Sequence, residues 1–217
     1  VGYCYSWGLG VKQNNKLAFK WYHRSAESGV PEAALEFGVL FALGKGTSKN
    51  PALAARLFAF ASEFGIAEAQ FRLADSYFHG CGVRRNQPRA FKLYRLAAIK
   101  GRADAQVSVG YCYFYGAGVK RNLQLAHKWY SRAAKGGDED ALYNLGLMAK
   151  KGHFVKKNLR RAVALFHRAA RLGHLEANYQ LGVAYAHGLG VRKNTKLARE
   201  YLSVVTREDE DVAYELA

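Results

Sequence analysis

Cysteine, proline and methionine are scarce in this chain: three, three and one among 217 residues. Three cysteines cannot build the multi-bridge framework of a small secreted scaffold, which weighs weakly toward a reducing compartment and otherwise leaves the location open, an organelle included. No apolar run approaches the roughly 18–20 residues that a membrane span needs, so no membrane insertion is expected. Acids are also in short supply, 17 Asp+Glu against 33 Lys+Arg, for a formal net charge of +16. Such an excess predicts attraction to nucleic acid, acidic proteins or anionic lipid surfaces, without choosing among them. Half of the residues are apolar and 13% are aromatic. That content excludes a disordered tail, and the length is enough to bury a sizeable core. The first residue is Val1 rather than Met and falls inside a repeating unit, so we expect the chain to be part of a longer protein.

What is abundant is internal repetition. Aligned to itself, the sequence has a period of 36 residues with no insertion. Asparagine recurs at Asn14, Asn50, Asn86, Asn122, Asn158 and Asn194, and alanine at Ala18, Ala54, Ala90, Ala126, Ala162 and Ala198. Glycine recurs at Gly8, Gly44, Gly80, Gly116, Gly152 and Gly188. The units expected are a partial repeat at 1–29, complete repeats at 30–65, 66–101, 102–137, 138–173 and 174–209, and a stub at 210–217. Together they make one repeat domain over 1–217.

Each unit reads as two helices. In the unit from Arg102, Ala105, Val109, Tyr113 and Gly116 share one face, and Ala126, Trp129, Tyr130, Ala133 and Ala134 share another; both follow a 3.6-residue period. The first helix opens on an acid (Glu32, Glu68, Asp104, Asp140, Glu176), which suits the positive end of the helix dipole. Between the helices lies Gly-x-Gly-Val-x-x-Asn, as in Gly80-Cys81-Gly82-Val83-Arg84-Arg85-Asn86. Its first glycine suits a left-handed C-terminal cap and its Asn an N-cap. Asn50-Pro51 agrees, since Pro favours the first helical position after a cap. Glycines end the second helices at Gly29, Gly65, Gly101, Gly137 and Gly173. Gly38, Ala74, Gly110, Gly146 and Gly182, facing the repeated Ala, allow close helix approach.

The pattern Ala-x(3)-Leu-Gly-x(2)-Tyr-x(2)-Gly-x-Gly-Val-x(2)-Asn-x(3)-Ala-x(2)-Leu/Trp-Tyr-x(2)-Ala-Ala-x(2)-Gly resembles the Sel-one-like repeat family, relatives of the tetratricopeptide repeat. The resemblance covers essentially the whole chain. It implies an all-α, right-handed α-solenoid of about six two-helix repeats, acting as an adaptor or scaffold for multiprotein complexes, with no family-wide catalytic residue. Departures include Asn where the family often has Asp, Phe154 in place of the second loop glycine, and the acidic stretch Glu208-Asp209-Glu210-Asp211. That stretch reads as either a capping region or a boundary.

No motif for catalysis, cofactor or metal stands out. The glycine loops lack the third glycine of a dinucleotide fingerprint and follow helices, not strands. Gly44-Lys45-Gly46-Thr47 has the wrong order for a P-loop. Cys4 and Cys112 share a repeat position on an apolar face and read as small core residues, while Cys81 beside His79 is too few ligands for zinc. His79 and His187 share another repeat position, suited to an exposed groove or a cap.

Two candidate surfaces remain. Just before the Asn of four consecutive units stand Arg84-Arg85, Lys120-Arg121, Lys156-Lys157 and Arg192-Lys193. These cations form either a ridge that tracks a phosphate backbone or acidic partner, or a loop surface kept basic for solubility. On the first helices Trp7, Phe78, Tyr111, Phe114, Tyr115 and Tyr179 fall outside the main apolar face, as anchors for a protein partner or as packing between repeats. The function expected is a non-catalytic adaptor for other proteins in a multisubunit complex. The alternative is a basic component of a ribonucleoprotein, for example an organellar ribosome or RNA-processing assembly, contacting RNA phosphates. Neither cofactor nor metal is expected.

Overall fold

A computed structural model describes residues 1–208, and every regular element in them is α-helical. The helices are α1 (Gly2–Trp7), α2 (Asn15–Glu27), α3 (Pro31–Leu43), α4 (Pro51–Glu63), α5 (Ala67–His79) and α6 (Gln87–Ile99), then α7 (Ala103–Tyr115), α8 (Leu123–Lys135), α9 (Glu139–Lys151), α10 (Leu159–Arg171), α11 (Leu175–His187) and α12 (Thr195–Glu208). Odd-numbered helices are the first of each repeat and even-numbered ones the second, so the chain folds as the expected all-α repeat solenoid. The acidic stretch from Asp209 and the stub 210–217 lie outside the described residues. The helices group into two compact units: Val1–Cys112 with Gly116–Lys120, and Tyr113–Tyr115 with the chain from Arg121 onward.

The repeated Asn is the N-cap of the second helix in all six repeats. Asn14, Asn50, Asn86, Asn122, Asn158 and Asn194 accept, through Oδ1, the backbone N–H three residues on, at 2.9–3.1 Å. Each such cap stabilises its helix by about 1 kcal/mol. The first helices are closed by Gly8, Gly44, Gly80, Gly116, Gly152 and Gly188, all left-handed with φ between 70° and 78°. The next amide then reaches back five residues, as Cys81 N–H does to the Ser76 carbonyl at 2.9 Å. This double closure satisfies carbonyls that would otherwise be orphaned. The second helices stop slightly before the expected glycines: α6 ends at Ile99, and Gly101 follows its cap with φ 96°.

The second loop glycine has a different job. A Cβ on Gly82 would overlap the Pro51 carbonyl and sit 2.6 Å from the Ala52 amide nitrogen, at the start of α4 in the preceding repeat. Gly46, Gly118 and Gly190 lie against the preceding second helix in the same way. Only Phe154 breaks the series, at φ 65° with a full side chain.

Packing within a repeat is ring over glycine. Tyr22, Phe58, Tyr94, Tyr130 and Phe166 share one repeat position and are all buried. A Cβ on Gly38 would lie 2.7 Å from the Phe58 ring, and one on Gly146 2.5 Å from the ring of Phe166. The repeated alanines of the second helices are buried beside them. In the first unit, Phe37, Phe41, Phe58 and Leu73 form the centre of one apolar cluster. In the second, Tyr130, Leu142, Met148, Phe166 and Leu181 are fully buried.

Candidate functional site

The loops that the two glycines shape carry the paired cations outward. Arg84, Arg85 and Lys120 in the first unit, and Arg121, Lys156, Lys157, Arg192 and Lys193 in the second, are all exposed. Among the described residues none of the eight is in an ion pair. Arg121 alone is tied back, its Nε donating to the Phe114 carbonyl at 2.9 Å. Two of the loops border open clefts. One, of about 530 Å³, is lined by Tyr77, Val83, Arg84, Arg85, Asn86 and Arg89. The other, of about 800 Å³, is lined by the residues three repeats on, Tyr185, Val191, Arg192, Lys193 and Asn194, with Thr195 and Lys196.

Charge is sorted by helix type. The first helices hold eight acids and three Lys or Arg, whereas the second helices hold seventeen Lys or Arg and four acids. The positive excess therefore belongs to the loops and the second helices. No second helix has an acid in its first turn. In contrast, Glu32, Glu68, Asp104, Asp140 and Glu176 stand in first-helix first turns, as expected.

The aromatic candidates fall into separate groups. Phe78 and Tyr111 meet edge to face at 6.0 Å in the first unit. Phe114 and Tyr115 meet at 4.8 Å in the second, with His153 against Phe114 at 5.3 Å. Trp7 is 66% exposed and neighbours Tyr3, while Phe78 and Phe114 are half-buried. Tyr115 is 62% exposed. Tyr179 occupies the repeat position of Phe71 and Tyr143, which pack against Arg102 and His174, the opening residues of the following repeats.

Asp75 lies beside the first of these groups, three residues before Phe78 and one repeat before Tyr111. The Tyr94 hydroxyl donates to its Oδ1 at 2.6 Å. Burial pushes the Asp75 carboxyl above its ordinary value, with the Tyr94 hydrogen bond pulling the other way, and burial also raises the Tyr94 phenol far above its own. Sequence patterning gave no hint of this pair, since Asp75 has no counterpart acid in other repeats.

Two further polar clusters escaped the sequence. Arg102 bridges Glu68 of the preceding repeat and Asp104, and its guanidinium lies 5.1 Å from the centre of the Phe71 ring. In the second unit His167 sits between the hydroxyls of Tyr185 and Tyr201, at 3.1 and 3.2 Å. Burial, with Arg171 adding to it, holds His167 below its ordinary value. Cys112 is fully buried and its thiol is pushed up to about 12 by burial, whereas Cys81 is exposed. His79 and His187 are both exposed. Among the described residues no group of three or more His, Cys, Asp or Glu is placed to hold a metal ion, and no helix is long and apolar enough to cross a membrane.

Tandem helix pairs joined by capped glycine loops define a helical repeat scaffold. The Sel1 repeat profile matches residues 1–30, 31–63, 67–101, 103–138, 139–174 and 175–203, and the chain belongs to the Sel1 repeat family. A Sel1 repeat protein from Oxalobacter formigenes is 31% identical with a TM-score of 0.88, over 96% of this chain and 85% of that one. A protective antigen present in uropathogenic Escherichia coli strains, displaying an SLR fold, is 30% identical with a TM-score of 0.85 over 95% of this chain; the chain spans 44% of that protein. An immunity protein from Pseudomonas aeruginosa, 20% identical with a TM-score of 0.60 over 90% of this chain and 75% of that one, shares the fold. No curated protein matches the chain in sequence. Sel1 repeat proteins are generally protein–protein interaction scaffolds, and their fold is generally non-catalytic.

Proposed function

We propose that this protein is a non-catalytic adaptor that holds other proteins of a multisubunit complex on its first helices, over a repeat domain spanning 1–217. The observation that carries the reading is the set of large aromatic side chains exposed there, Trp7, Tyr111, Tyr115 and Tyr179, on helices that lack the positive excess. Exposed Tyr and Trp anchor interfaces because they bring large area with little rotamer freedom to lose. Phe78 in the first unit and Phe114 in the second each touch an exposed tyrosine of their own unit. The second reading, contact with RNA phosphates through the paired loop cations, is supported by their exposure and their lack of acid partners.

The test is to isolate the full-length protein gently from its cells, with and without ribonuclease, and to identify what co-purifies. A protein partner retained after ribonuclease supports the adaptor, and its affinity should fall at least about tenfold when Tyr111, Phe114 or Tyr115 is changed to Ala. Full affinity in all three variants removes the aromatic surface from the account. Loss of every partner on ribonuclease treatment favours RNA instead.

A further inference from the structure

The clefts at the paired cations place positive charge where the fold gains nothing from it. Arg84 and Arg85 precede the N-cap Asn86, Arg89 lies in the first turn of α6, and the helix dipole already makes that end positive. Neither this cleft nor its equivalent at Arg192, Lys193 and Lys196 is lined by an acid. The caps gain nothing from these charges: each Asn side chain accepts one first-turn amide, and a Lys or Arg head can only donate. Three cations crowded at one helix start repel one another unless an anion from elsewhere joins them.

Part of the first cleft is preorganised. The Arg89 guanidinium lies 5.6 Å from the Tyr77 ring centre and Nη1 donates to the Tyr77 hydroxyl at 3.4 Å, which holds the fork at the cleft wall. Arg84 and Arg85 are exposed beside it. Guanidinium groups bind planar or tetrahedral oxyanions through paired N–H donors.

We propose that these two clefts bind acidic segments of a protein partner, through oxyanions carried on a peptide as clustered carboxylates or phosphoserine. The proposal rests on the adaptor reading above and adds the chemistry of what is held. The aromatic rings of the clefts argue for peptide over nucleic acid. Single-stranded RNA binds where ring faces are open for base stacking. Here the Tyr77 ring is already covered by Arg89, and Tyr185 is stacked on Tyr201 at 5.7 Å with an interplanar angle of 3°. The clefts offer forks for oxyanions and no platform for bases.

The experiment uses the whole chain and four fluorescent probes: an Asp/Glu-rich peptide, a phosphoserine peptide, a neutral Asn/Gln peptide and a single-stranded RNA of matched charge. The acidic and phosphorylated peptides should bind and the neutral one should not; their relative affinities separate carboxylate from phosphate. With the second cleft already neutralised by changing Arg192, Lys193 and Lys196 to Gln, changing Arg84, Arg85 and Arg89 together to Gln should weaken the remaining acidic-peptide binding about tenfold or more. In the same background a charge-matched control, Lys16→Gln, Lys20→Gln and Lys135→Gln, should leave it within about threefold. All these positions are exposed, and helicity by circular dichroism checks that the variants remain folded. Equal weakening by the first-cleft and control triples, or RNA bound more tightly than either acidic peptide, overturns the proposal. If the acidic peptides fail while the Tyr111, Phe114 and Tyr115 variants still lose the natural partner, the clefts are wrong and the adaptor reading stands.

Discussion

Replacing Gly82 and Gly101 by Ala, one at a time, separates backbone conformation from contact between repeats. Both glycines lie in the first unit with positive φ, 75° and 96°. For Ala, the left-handed region costs about 1–2 kcal/mol in either place. Around Gly101 no atom lies within 4 Å of a Cβ, so that is the whole penalty. At Gly82 the Cβ would overlap the Pro51 carbonyl, and what must yield is main chain at a helix start, not the end of a flexible side chain. Forcing a backbone shift in a packed seam adds about 1–3 kcal/mol, for a total of about 2–5 kcal/mol. In a chain of this size each kcal/mol moves Tm by about 3 °C, so Gly101→Ala should lower it by about 3–6 °C and Gly82→Ala by about 6–15 °C. Thermal unfolding followed by circular dichroism reads both. Equal shifts would mean that the second loop glycine is required only for its φ, and that the seam as described does not exist.

Phe154 is the converse case: Phe154→Gly should raise stability by about 1 kcal/mol in urea unfolding, because it removes the strain of φ 65° without removing a buried side chain. For His167, burial lowers the folded value below the ordinary 6.5, so the unfolded chain binds the extra proton first. The stability this represents is present above pH 6.5 and is lost as pH falls through the folded value; His167→Gln should flatten that acid decline in pH-dependent melts, and an unchanged decline would exclude His167 as its source. At pH 8 a maleimide reagent should label Cys81 rapidly and leave Cys112 unmodified until the protein is unfolded, as mass spectrometry of the digested peptides can check.

The helices were legible because their ends are written in residue types with local jobs. An Asn side chain can cap only the helix that follows it, and a left-handed glycine closes only the one before, so both signals survive without knowledge of neighbours. The small residues at Gly38 and Gly146 likewise announced close approach, although which ring would fill the space, Phe58 or Phe166, required the structure. The polar clusters were invisible for the opposite reason. Arg102 meets Glu68, and Tyr201 meets His167, across a separation of 34 residues; the first pairing recurs two repeats on only as His174 with Asp140, where both residue types have changed, and the second occurs once among the described residues. Periodicity averages such singular residues away. The aromatic candidates show the same limit: spacing put six rings on first helices, but not that Phe78 pairs with Tyr111 and Phe114 with Tyr115. The ordering of charge between first and second helices was present in the composition all along, and needed helix boundaries to become countable.

Seating Gly46, Gly82, Gly118 and Gly190 on the start of the preceding second helix has a consequence for how such a chain can change in length. Adding or deleting one whole unit of 36 residues returns each of these glycines to an equivalent seat, so the array can be resized without any new contact being invented. A single-residue insertion between the two loop glycines instead lifts one of them off its neighbour and presents a side chain where only hydrogen fits.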